Sequence, residues 1–92
     1  MNNITADQII AEFAELGITA YWEHPGYVAA ADATGRILCI GQVNGPWGVD
    51  VYANEADAVL GVPATSDELP ETDVRLLVNH ALAVANRVAH AS

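Results

Sequence analysis

Lysine is absent from this 92-residue chain, and arginine occurs only as Arg36, Arg75 and Arg87. Against them stand 12 acidic residues, for a net charge of −9. That is an ordinary supply of carboxylates, so the imbalance comes from missing cations. A chain with so few cations cannot neutralise phosphates, which excludes direct nucleic-acid binding and attachment to an anionic membrane surface. A protein that imitates DNA needs a dense row of carboxylates, because the duplex carries one charge per ~1.7 Å of axis. The ordinary acid count counts against that role, which stays as an alternative.

A single cysteine, Cys39, excludes an internal disulfide. It lies in the apolar run Ile37-Leu38-Cys39-Ile40, which reads as a buried strand. No histidine or cation stands beside it in sequence to activate the thiol, so an inert core cysteine in a reducing cytoplasm is expected. No apolar run approaches the ~20 residues of a membrane span. Residues 1–17 are polar and helical rather than basic and then apolar, so no signal peptide is expected.

Chemistry-bearing patterns are also missing. Gly41, Gly45 and Gly48 spread across a hairpin and do not open a helix, so there is no phosphate-binding loop. No Cys or His spacing matches a zinc site. His80 and His90 would lie about 15 Å apart on one helix and cannot share a metal. His24 precedes Pro25 in a turn, Ser66 and Thr72 suit a turn and a helix start, and the acid pair Asp67 and Glu68 suits a helix dipole. No catalytic constellation, metal or cofactor is expected, and the protein reads as a non-enzyme.

What is present is a foldable apolar pattern, with 52% hydrophobic residues in a chain that makes one domain over 1–92. Thr5 and Gln8 form a capping box, Ile4 and Ile9 a hydrophobic staple, and Ile9, Ile10, Phe13 and Leu16 an apolar stripe that ends at Gly17. Four strands follow, over 18–24, 27–32, 37–43 and 47–53, separated by turn signals at Pro25-Gly26, Asp32-Ala33-Thr34-Gly35 and Asn44-Gly45-Pro46. Such short turns imply an antiparallel meander. Asn54 caps a short helix over 55–60 that stops at Gly61. Residues 62–66 read as a connector, and the acids and proline of 67–71 open a long last helix, with Val74, Leu77, Ala81, Val84 and Val88 down one side. Arg87 and His90 lie in its last turn, where cations suit the dipole. The expected fold is a two-layer α+β domain, in the order α-β-β-β-β-α-α, with a four-stranded meander. That order is similar to the double-stranded RNA-binding domain, but the basic residues such a domain needs are missing.

Two features point to a binding surface. Alternation puts Tyr21 and Glu23 on one side of the first strand, and Asp50 and Tyr52 on one side of the fourth, directed away from the helices. Tyrosine is enriched at interfaces because it combines area with a polar handle. Trp47, in the hairpin tip 44–48, anchors a partner if exposed and closes the core edge if it folds back. Tyr21, Glu23, Trp47, Asp50 and Tyr52 are therefore the candidate partner-binding residues. The expected function is a non-catalytic protein-binding module of the small acidic inhibitor or immunity kind. It would self-associate as a homodimer or meet a basic protein partner. The alternatives are a nucleic-acid mimic, built on the acids of residues 50–73, and a small ligand-binding domain or enzyme with a pocket near Trp22, His24 or Trp47.

Overall fold

A computed structural model of the chain describes residues 4–24, 27–42 and 45–88, with the backbone alone for residue 24. The turn at Pro25-Gly26, Val43 and Asn44 of the next hairpin, and His90 lie outside the described residues. The elements run α1 (Ala6–Glu15), β1 (Ala20–His24), β2 (Tyr27–Ala31), β3 (Ile37–Gln42), β4 (Trp47–Tyr52), α2 (Glu55–Leu60), β5 (Thr65–Leu69) and α3 (Val74–Asn86). The class is α+β as expected, with one sheet in the order β1-β2-β3-β4-β5, antiparallel throughout.

Local chemistry sets α1. The Gln8 amide donates to Thr5 Oγ1 at 3.2 Å, and the Thr5 amide donates to Gln8 Oε1 at 2.9 Å, closing the capping box. At the other end Gly17 takes φ 76°. Its amide reaches the Ala14 carbonyl at 3.0 Å, and the Ile18 amide reaches Phe13 at 2.9 Å, so the last carbonyls are satisfied and Ile18 folds back.

The fifth strand corrects the expected connector and helix start. Residues 65–69 pair with β4, from Val51 opposite Thr65 to Trp47 opposite Leu69. Leu69 is buried in the core. Ser, Asp and Glu have weak strand preference, so pairing to the free side of β4, a contact distant in sequence, decides their conformation. Pro70, which has no amide hydrogen, follows the strand directly. The last helix starts later, at Asp73, whose carboxylate accepts from the Arg75 and Leu76 amides at 2.9 and 3.2 Å.

α1 and α3 pack on one face of the sheet. Ile9 and Phe13 of α1 and Leu77, Val78, Ala81 and Val84 of α3 meet Val28, Leu38, Ile40, Val49 and Val51 in one fully buried cluster. Trp47 belongs to this cluster at 9% exposure, because it alternates with Val49 and Val51. It is a core residue and not an exposed anchor. α2 contributes no buried residue and contacts the sheet at β4.

Two polar clips join the layers. Arg36, at the start of β3, is the one buried charged residue among those described. Its Nε donates to Asp32 Oδ2 at 2.6 Å, its Nη2 to Asn86 Oδ1 at 3.2 Å, and its Nη1 to the Ala85 carbonyl. Arg36 thus ties the β2–β3 turn to the negative end of the α3 dipole. Burial alone would raise the Asp32 pKa. Donation from the Thr34 hydroxyl and amide, and from the Arg36 amide and guanidinium, outweighs it and holds the carboxyl below its ordinary 3.8. On the opposite flank, His80 of α3 reaches Glu71 Oε2 from Nδ1 at 2.9 Å and Asp67 Oδ2 from Nε2 at 3.3 Å. Arg87 also reaches Asp67, at 3.4 Å. The Glu71 hydrogen bond lifts the His80 pKa above 6.5 against the opposing effect of burial, and the Glu71 and Asp67 charges add to the rise.

Removing Arg36 leaves the part-buried Asp32 carboxylate without its cation, so Arg36→Met is expected to cost about 2 kcal/mol in urea unfolding. In the wild type the Asp32 contribution holds above pH 3.8 and fades as pH falls through the lower folded pKa. The His80 clip has the opposite sign, because its folded pKa is raised. Its stabilisation is complete below pH 6.5 and is lost as pH rises through the folded value. The urea midpoint of the wild type, relative to that of His80→Gln, is expected to fall across that range. A pH-independent difference between the two would contradict the clip.

Candidate functional site

The face of the sheet opposite α1 and α3 is where four of the five candidate residues meet. Three rows of side chains cross it. Tyr21, Ala29, Cys39, Asp50 and Ser66 form the first by direct strand pairing. Tyr27, Gly41, Gly48 and Glu68 form the second. Ala31, Ile37 and Tyr52 form the third. Alternation explains this: every second residue of β4 goes to the core, and Asp50 and Tyr52 are the others.

The rows are not flat. Alanine, cysteine and glycine make a low floor, and larger side chains rise around it. One hollow of about 540 Å³ lies between Tyr21, Glu23 and Tyr52 on the sheet and Glu55, Ala58 and Val59 of α2. A second, of about 590 Å³, lies over Gly41 and Gly48 beside Pro46 and Glu68. Both hollows include Tyr27, Cys39 and Asp50, so together they make one trough along the strands. Tyr21, Glu23, Asp50 and Tyr52 all line it, whereas Trp47 lies mainly in the core and only edges the second hollow. The contribution of α2 was not legible from strand alternation, because it depends on how the chain returns after β4.

Electrostatically the trough is negative. Glu23, Asp50, Glu55, Asp67 and Glu68 are among its lining residues, and no cation is among those described. The three arginines are engaged elsewhere: Arg36 with Asp32, Arg75 with Glu12 at 3.8 Å, and Arg87 with Asp67. Ser66 Oγ donates to Asp50 Oδ1 at 2.5 Å and orients that carboxylate. The field is felt by neighbouring groups. Partial burial, then the Glu23 charge, raise the Tyr21 pKa, and partial burial, then the Asp50 charge, raise that of Tyr52.

Cys39 is half-buried on the trough floor, not in the core. The sequence run is apolar on both strand faces, and Leu38 and Ile40 take the core side. Burial raises the Cys39 pKa above 9.0, and the Glu23 and Asp50 charges raise it further. A thiol held protonated is a poor nucleophile. Among the described residues no group of three His, Cys, Asp or Glu side chains could hold a metal ion. No described helix is long and apolar enough to cross a membrane.

The acids of residues 50–73 do not form one row. Asp50, Glu55 and Glu68 line the trough, Asp73 caps α3, Glu71 binds His80 on the helix side, and Asp67 edges the second hollow while its carboxylate also binds His80. Comparison with known proteins returned no match to a family model, to a curated protein or to a solved structure.

The Cys39 environment has a direct chemical readout. Native protein at pH 7.5 is expected to react with a disulfide reagent at least tenfold more slowly than the urea-unfolded chain, with the rate rising only as pH passes 9. Equal rates would mean that the carboxylates and the floor do not suppress the thiolate.

Proposed function

We propose that this protein is a non-catalytic binding module whose open sheet face receives a basic protein partner. The observation that carries this reading is the pairing of carboxylates and tyrosines in one concave trough, with no cation among its described lining residues. A protein cation entering there gains uncompensated negative charge and tyrosine faces at the same point. The raised pKa makes Cys39 a poor nucleophile, and His80 is held by Glu71 and Asp67 away from the trough.

Two copies of this chain are a poorer fit than a basic partner. A two-fold pairing of open faces stacks like charge on like charge, between chains of net charge −9 each. A nucleic-acid mimic is likewise disfavoured, because the acids of residues 50–73 divide between the two sides of the sheet.

The test is a ¹⁵N-labelled titration with a hexa-arginine peptide at low salt. Shifts are expected at Tyr21, Cys39, Asp50 and Glu68, and to shrink at 0.5 M salt or in Asp50→Lys. Shifts confined to α1 and α3, or none, would overturn the reading. Light scattering on the same sample is expected to give the monomer mass.

A further inference from the structure

The trough carries information about the shape of its occupant as well as the charge. We infer that it takes an amphipathic basic helix of the partner, with the apolar side on the floor and against Val59, and the cations directed to the bordering carboxylates. This rests on the reading of the open face as a site for a basic partner.

The first argument is backbone hydrogen bonding. The floor belongs to β2, β3 and β4, and each of these strands is paired on both sides. Their amides and carbonyls have no capacity left for an incoming strand. An extended segment laid on the floor would lose water from its own backbone groups and find no partners for them. A helix satisfies those groups internally and needs only side-chain contact.

The second argument is size. The floor strands are five or six residues long. At ~3.3 Å per residue they give a trough about 17–20 Å long, and a helix of about 12 residues spans that length at 1.5 Å rise. The five strands, spaced ~4.8 Å, offer a width of roughly 19 Å, enough for one helix of ~10–12 Å diameter beside α2. The small, partly exposed residues Cys39, Gly41 and Gly48 let a helix approach closely. A helix seated here would turn the two-layer structure into three layers, the usual way of covering a sheet on both faces.

The third argument is the exposed Val59 beside the carboxylates. Val59 is 81% exposed, and Leu60 and Val62 next to it are also exposed. Charge alone would be served by any basic segment. An exposed valine set among carboxylates at the end of the trough favours one with an apolar stripe.

Two 14-residue peptides of identical leucine and arginine composition provide the test. One has its leucines on a single helical face, and the other is shuffled to have none. Calorimetry is expected to show the amphipathic peptide binding at least tenfold more tightly, and circular dichroism to show it gaining helix on binding. Val59→Asp is expected to weaken it by at least tenfold. Leu76→Asp, at a 57% exposed position of α3 on the other side, is expected to leave it unchanged. Equal affinity for the two peptides, no gain of helix, or an unaffected Val59→Asp protein would overturn the helical occupant. If the hexa-arginine titration still mapped to the trough, the basic-partner reading would survive that result. Failure of all three peptides to bind would overturn both.

Discussion

The cation of Arg36 is the point at which the two layers of this protein are locked to one another. It leaves the β2–β3 turn, passes the carboxylate of Asp32 and ends on the Ala85 carbonyl and the Asn86 side chain at the end of α3. Hydrophobic contact alone lets a helix slide on a sheet, because it is non-directional. A guanidinium with fixed donors does not permit that sliding. The turn is built to present it: Asp32 Oδ1 also accepts from the Thr34 amide and hydroxyl at 2.9 and 2.7 Å, and Gly35 closes the turn at φ 88°.

This use of cations shapes the rest of the surface. A chain with three arginines that devotes one to the core and two to ties with Glu12 and Asp67 has none left for the open face. The negative trough is therefore a product of where the few cations went. Surface pairs such as Arg75 with Glu12 add little to stability, since the arginine is well exposed. Their effect is to settle where charge remains uncompensated.

Much of the fold was readable because its signals are local. The capping box at Thr5, the glycine after α1 and the turn at Asp32 each depend on residues a few positions apart, and all three formed as expected. β5 was hidden for the opposite reason. Its composition resembles a helix start, and only a partner strand about sixteen residues earlier makes it a strand. The candidate face was legible in Tyr21, Glu23, Asp50 and Tyr52, because alternation along a strand reports which residues share a side. Cys39 was expected in the core and lies half-buried on this face, because its strand is apolar on both sides, and the position of α2 depends on tertiary pairing. Trp47 shows the same rule in reverse: its alternation with Val49 and Val51 outweighed its place at a loop tip. Arg36 carried a faint signal, an acid four residues before a base across a turn, but sequence does not show burial.

α2 stands apart from the rest of the molecule in what it owes to the core. It fills the connection between β4 and β5, and none of its side chains is buried. The frame of strands and long helices would fold the same way around many different segments in that place. Under selection, such a segment can drift quickly while the scaffold stays still. Related chains could therefore keep one architecture and diverge in the partners they recognise, with the change concentrated in these few residues.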